Sequence, residues 1–199
     1  ILILMIPIMI QNGIMQLVNM LDNIMVGRLG TAEMSGVSVA NQLIFVFNLC
    51  IFGAVSGAGI FGAQYAGKKD DEGLRHTFRF KIMLCGIISL LCIGVFAVFG
   101  DVLVKAYLSG EGSPEQAEAT LGFARQYLNV MLIGLLPAAI VQAYASTLRE
   151  TGETKAPMYA GVIAVLVNLF LNYLLIFGKL GMPRLGVVGA AIATVISRF

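Results

Sequence analysis

The sequence predicts an all-α fold, a polytopic transmembrane helix bundle of about six spans, and three observations predict it. Of 199 residues, 58% are hydrophobic and 12% charged, where ordinary soluble domains carry about 25% charged residues. Mean hydropathy is +0.89. The 13 Lys+Arg and 11 Asp+Glu are clustered, which leaves uncharged stretches comparable to the roughly 20 apolar residues a bilayer crossing needs. A water-soluble globule does not fit these numbers.

Taken in order, the uncharged runs place spans at about 1–26, 35–66, 82–100, 121–148, 156–178 and 185–199. The first and sixth look truncated. The chain opens on Ile1 with no basic n-region or small-residue cleavage site, so its apolar start does not read as a signal peptide. The last run is too short for about 30 Å of hydrocarbon. The second, Met34 to Gly67, would make a helix of roughly 51 Å, so a tilted, broken or interfacial portion is expected near Ser35, Gly36 and Ser38. After Gly67, a plausible stop, Leu74, Phe78 and Ile82 recur at i, i+4 and i+8. That is the apolar stripe of a short interfacial helix leading into the third span. The loop from Asp101 to Thr120 holds Gly110, Gly112 and Pro114, with Ser113 and Gln116 spaced as a capping box for the fourth helix. Pro157 suits the first turn of the fifth helix, whereas Pro137 falls inside the fourth and predicts a kink.

Charge sets the orientation and removes several function classes. Lys68, Lys69, Arg75, Arg79, Lys81, Arg149, Lys155 and Arg198 fall on one side; Arg28, Lys105, Arg125, Lys179 and Arg184 fall on the other. The excess places the N-terminus in the cytoplasm. A net charge of +2, with no basic helix or zinc-finger spacing, gives nucleic acid no footprint. Cys50, Cys85 and Cys92 lie within apolar stretches and read as small hydrophobes rather than as a disulfide framework or metal site. The single His, His76, sits in the basic loop, and without a metal-binding motif or a nucleophile–His pair an enzyme is not expected.

The polar residues left inside the spans point to a site. Ten of the acids lie in loops or at span ends, and Asp22 is the exception, with Met25 and Val26 continuing the apolar pattern beyond it. An intramembrane carboxylate is by default an ion-ligand or proton-carrier candidate. Gln11, Asn12, Gln16, Asn19 and Asn23 share an arc of roughly 140° with Asp22 at about 100° per residue. Lipid cannot solvate such a face, so it turns toward other helices or a water-filled cavity. Asn168 and Asn172 share a face of the fifth helix at i, i+4, at a depth similar to that of Asp22. Tyr127 and Asn129 enter at comparable depth on the fourth. These groups suffice to surround a cation or a protonated carboxylate. Two weaker patterns are expected to serve packing: the Gly53/Gly57 step, continued by Gly59, Ala63 and Gly67, and Met5, Met9, Met15, Met20 and Met25 in the first helix.

The stretches Leu17–Leu43 (LVNMLDNIMVGRLGTAEMSGVSVANQL), Ala63–Asp70 (AQYAGKKD), Leu148–Met158 (LRETGETKAPM) and Val167–Thr194 resemble the multidrug and toxic compound extrusion (MATE) transporters over nearly the whole chain. The resemblance implies twelve helices in two six-helix lobes, of which residues 1–199 would form the amino-terminal one, with the carboxy-terminal lobe as its missing partner. It implies export of small amphipathic, often cationic compounds by alternating access, in a bacterial inner membrane, coupled to Na⁺ or H⁺ and without a cofactor. By position it assigns cation or proton coupling to Asp22, Asn168, Asn172 and Tyr127, with Na⁺ at Asp22. Gln16, Asn19, Asn23 and Thr194 would line the cavity. Proton-linked relatives carry Asp where Asn172 stands, which puts a two-carboxylate relay in doubt. A lipid-linked oligosaccharide flippase of the same superfamily would favour a large cationic cavity; a passive channel or membrane scaffold would account for composition but not for these motifs.

Overall fold

The computed structural model describes residues 2–108 and 114–198, with side chains for all of these but 2–5, 7, 8, 19, 114 and 115. Six α-helices follow one another: α1 (Leu2–Gly27), α2 (Thr31–Lys68), α3 (Asp71–Leu108), α4 (Pro114–Glu150), α5 (Lys155–Phe177) and α6 (Gly186–Ile196). Among the described residues, four helices are long and apolar enough to cross a membrane, namely α2, α3, α4 from Gln116, and α5. The fold class is therefore the one the charge map predicts.

The helix boundaries differ from it in instructive ways. α2 runs unbroken through Ser35, Gly36 and Ser38 for 38 residues, so the expected irregular start is absent. Gly36 is buried because it is the point where α2 meets α4: a Cβ there would lie 2.9 Å from the Ala124 nitrogen and the Thr120 carbonyl. Nor does α2 stop at Gly67. It ends at Lys68 and is capped by Lys69, whose φ of 57° and N–H to the Ala66 carbonyl close the helix in the left-handed conformation. Asp70 then caps α3 by accepting from the Gly73 N–H at 2.9 Å. The segment expected as a separate interfacial helix is the first part of the continuous α3. Its Leu74, Phe78 and Ile82 are half-buried, with the Phe78 ring edge-on to Tyr144 of α4 at 4.8 Å. α3 also extends past Gly100 to Leu108, placing Asp101 in the helix, where it pairs with Arg125 of α4 at 3.4 Å. α4 continues through Pro137. The Ser113 cap, Gly110 and Gly112, and the side chains of Met5 and Asn19, lie outside the described residues.

Packing divides the lobe into two groups of three helices. α2, α3 and α4 pack on one another, α5 packs on both α1 and α6, and the seam between the groups is chiefly α4 against α6. Phe47, Ile51, Met131, Leu135 and Ile176, each nearly inaccessible, fill the core where the groups meet. The rest of the apolar surface is exposed, as a lipid-facing bundle requires: Phe45, Phe52, Leu90, Val98, Ile133 and Phe170 among others. Met9, Met15 and Met20 are exposed with them. The three cysteines are free, with Cys85 buried and Cys50 on the surface.

The small-residue stripe of α2 works differently from the expected one. A Cβ at Gly53, Gly57 or Gly67 would meet nothing within 4 Å. The close approaches are at Gly59 and Gly62, where a Cβ would run into the Glu150 carboxylate of α4. Gly62→Val should therefore lower the thermal stability of the full-length protein by about 1–3 kcal/mol, the usual cost of overpacking. Gly67→Val, facing open space, should leave the unfolding midpoint in detergent near wild type.

Candidate functional site

The fifth and sixth helices are joined so that their polar residues face each other. Gly178, in the left-handed region at φ 64°, ends α5 by donating its N–H to the Leu174 carbonyl. The returning chain is tied down by the Leu185 N–H on the Leu175 carbonyl at 2.9 Å. Gly189 lets α6 lie directly on α5, because a Cβ there would be 2.7 Å from the Leu175 oxygen. About one and a half turns further on, this close contact sets Thr194 opposite Asn168.

A connected set of polar groups results. The Asn172 amide donates to Asp22 Oδ1 at 2.6 Å, joining α5 to α1. Asn168 Oδ1 accepts from the same Asn172 amide at 3.2 Å, and Asn168 Nδ2 donates to Thr194 Oγ1 at 3.3 Å. With the Asn168 carboxamide turned over, its nitrogen instead donates to Asp22 Oδ2 at 3.0 Å and its oxygen accepts from Thr194. This orientation gives each carboxylate oxygen of Asp22 a donor. Thr194 Oγ1 also donates to the Ala190 carbonyl at 2.9 Å. Tyr127 brings α4 to the group: its phenol lies beside Thr194 and within Coulombic range of Asp22 and Arg198. Asn168, Asn172 and Tyr127 are all buried, Asn172 to 1% exposure, while Asp22 is half-buried.

One atom in this set has no partner. Asn172 Oδ1 is buried and accepts no hydrogen bond, although a desolvated carbonyl oxygen ordinarily has one. With Asp22, Asn168 and Thr194 it completes a set of oxygen donors carrying one negative charge, the donor chemistry that hard cations take. The residues present therefore fit a small cation. Among the described residues no three His, Cys, Asp or Glu side chains come together.

The structure brings together Asp22, Asn168, Asn172, Tyr127 and Thr194, and leaves others apart. Gln16 and Asn23 are exposed on α1, as is Asn12, and Asn129 is exposed on α4. Gln11, about three turns back along the same polar face, is buried and donates to the Pro157 carbonyl on α5 at 3.3 Å. Only the edge of the arc that carries Gln11 and Asp22 meets α5, which a wide polar face does not reveal by itself.

Three groups escaped the sequence reading. Lys81, grouped there with the surface cations, is 1% exposed and forms a buried ion pair with Glu150, so Asp22 is not the only acid withdrawn from the loops. Arg198, placed there among the basic residues of one side, lies instead beside Tyr127, with its Nη1 buried and unpartnered. Arg149 reaches Gln11. The spacing of Lys81, Cys85 and Ser89 at i, i+4, i+8 along one buried face of α3 is the signal that would have flagged the first of these.

Comparison with known proteins gives a consistent picture. The MatE family model matches residues 7–174. The chain is 31% identical over 193 residues to a probable multidrug resistance protein NorM of Thermotoga maritima, covering 97% of this chain and 40% of that protein. It is 29% identical to the corresponding protein of Bacillus licheniformis, at 98% and 41% coverage. The chain thus spans about two fifths of the length of these relatives. Among solved structures it superposes on an outward-facing multidrug resistance MATE family transporter of the MOP superfamily with TM-score 0.84 at 25% identity, covering 97% of this chain and 40% of that one. A MOP superfamily transporter from Pyrococcus furiosus, described as having a binding pocket of reverse polarity, matches with TM-score 0.79 at 25% identity over the same shares.

Proposed function

This chain belongs to the MATE family, and from that premise we propose that it is the amino-terminal lobe of a secondary active transporter that exports small amphipathic, often cationic, drugs or toxins by antiport with Na⁺ or H⁺. The observation that carries the reading is the Asp22 carboxylate held by Asn172 beside the unpartnered Asn172 Oδ1. A cation arriving at Asp22 competes with the amide donors that tie α1 to α5. Its binding therefore favours one arrangement of these helices over the other, and a substrate that prefers the second arrangement is released as the ion is taken up. Asn168, itself bonded to Thr194, holds the Asn172 carboxamide in place, and Tyr127 transmits the change to α4. Gln16, Asn19 and Asn23 then line the substrate cavity, closed on its other side by the carboxy-terminal lobe, with bilayer lipid around both. The proposed setting is a bacterial inner membrane with the N-terminus in the cytoplasm.

Arg198 is the observation that favours a second reading, a lipid-linked oligosaccharide flippase. A single buried cation beside Tyr127 does not, however, supply the cationic cavity such a substrate calls for. The test is drug movement in proteoliposomes of the full-length protein, read with ethidium under an imposed Na⁺ gradient and, separately, a pH gradient. Uphill ethidium transport under either gradient is expected. Ethidium indifferent to both would overturn the proposal, and counterflow separates a carrier from a channel or scaffold.

Asn172 offers a graded check. Asn172→Ala removes the amide donor from Asp22, an interaction with a charged group that is ordinarily worth about 1.5–3 kcal/mol. The half-saturating concentration of the coupling ion should move by about tenfold or more in an ion titration of efflux, with maximal rate less affected.

A further inference from the structure

Near their connecting turn, α2 and α3 part to leave an open groove of about 440 Å³, walled by Gly57, Phe61 and Tyr65 of α2 and by Gly73, His76 and Phe80 of α3. That volume falls within the range of small-molecule pockets, about 300–1,000 Å³. Two glycines shape it. Gly57 lies at the deep end, where a Cβ would meet nothing within 4 Å, and Gly73 admits the Tyr65 ring against α3, since a Cβ there would fall on that ring. Phe61 and Phe80 stand exposed as its lips.

Polarity is ordered along the groove. Gly57 to Tyr65 belong to the uncharged run of α2 that ends at Gly67, a length of about 12 Å at 1.5 Å per residue. Lys68 continues their stripe just beyond that run. On α3, Arg79 follows His76 by three residues and borders the same face. Lys68, Lys69 and Arg79 are all exposed. Two acids stand near them: Asp70, engaged as the cap on the Gly73 N–H at 2.9 Å, and Glu72, 3.8 Å from His76. Asp71 and Arg75 fall on the side of α3 away from Gly73, His76 and Phe80, at about 100° per residue. Three cations against two acids leave one positive charge at the mouth of an apolar slot.

We propose that this groove binds one acidic phospholipid, with an acyl chain along Gly57, Phe61 and Phe80 and its phosphodiester on Lys68, Lys69 and Arg79. Tyr65 then sits at headgroup level, the depth tyrosine favours in membranes. Any lipid chain can coat an apolar helix face. What selects an acidic one is that slot and surplus charge adjoin, so a single molecule with a hydrocarbon tail and one net negative charge satisfies both, whereas a zwitterionic lipid leaves the charge unanswered. The proposal requires only that the bundle spans a membrane and does not depend on the ion site.

The test is fluorescence quenching in nanodiscs of the full-length protein, with Cys50, Cys85 and Cys92 replaced and bimane attached at Met83→Cys, an exposed position one turn beyond Phe80. Phosphatidylglycerol with brominated acyl chains is compared with brominated phosphatidylcholine at equal mole fraction. Phosphatidylglycerol should be preferred about fivefold, the effect of one Lys or Arg on an acidic lipid. The same label at Val98→Cys, exposed farther along α3, should show no preference. Gly57→Leu fills the slot without a clash, and Lys68→Gln with Arg79→Gln changes only exposed side chains; each should bring the ratio at Met83→Cys close to one. Equal quenching by the two lipids in otherwise unsubstituted protein, or a preference that survives Gly57→Leu, would overturn the proposal. So would a label at Met83→Cys that neither lipid quenches, because the remainder of the protein would then be what covers the groove.

Discussion

Asp22→Asn in the full-length protein is expected to abolish ion-driven efflux while leaving the amount of folded protein in the membrane unchanged. The argument is one of shape against charge. Asparagine fills the same volume and keeps an oxygen for the Asn172 amide, so the α1–α5 contact at 2.6 Å has a neutral counterpart. What it removes is the only negative charge of the cluster, and with it the ability to bind a cation or exchange a proton. The measurement is ethidium transport in proteoliposomes, normalised to reconstituted protein, under Na⁺ and pH gradients in turn. Loss of gradient-driven transport with counterflow retained is the expected pattern, since a carrier without coupling still exchanges substrate. Undiminished uphill transport would remove Asp22 from the mechanism.

Breaking the Lys81–Glu150 pair should produce the largest change in stability. Lys81 is 1% exposed and the Glu150 side chain 11%, so Glu150→Ala leaves an ammonium group with Thr147 as its remaining hydrogen-bond partner. The expected loss is about 3–5 kcal/mol, the range found when one member of a buried ion pair is removed. Lys81→Met with Glu150→Leu deletes both charges and refills the space, and it should recover most of that loss, because the penalty belongs to the stranded charge rather than to the absent attraction. Thermal unfolding of the purified full-length protein in one detergent reads all three variants. A double variant as unstable as Glu150→Ala alone would contradict this account.

How far the sequence anticipated the molecule depends on which physical signal was available. Charge spacing marks where helices can lie in a bilayer, and the fold class followed from it. It does not mark where a helix ends, because hydrogen bonding and caps such as Asp70 on Gly73 carry helices well beyond the hydrocarbon. Asn168 and Asn172 were legible as a pair because i, i+4 fixes a shared face, and Asp22 because an intramembrane carboxylate is rare. Tyr127 was legible from its depth on the fourth helix and Thr194 from family resemblance, and the two are neighbours here. Lys81 and Glu150 were not legible, since each stands next to solvated charges in the chain and only tertiary contact distinguishes them. Gln16 and Gln11 belong to one polar arc, and nothing in a single helix says which edge of it the neighbouring helix will cover. For Arg198, a charge following an apolar run read as the end of that run.

The bond between Asp22 and Asn172 also imposes a schedule. Its two residues are 150 positions apart, and at a synthesis rate of about 5–20 residues per second the first is made roughly 8–30 s before the second. During that interval α1 has its carboxylate but not the amide that receives it, while the α2–α3 hairpin, joined by Lys69 and Asp70 alone, already has both of its strands of contact in hand. Biogenesis of the lobe should therefore finish at α1, the helix made first, and a nascent chain halted before Asn172 is the form most exposed to membrane quality control.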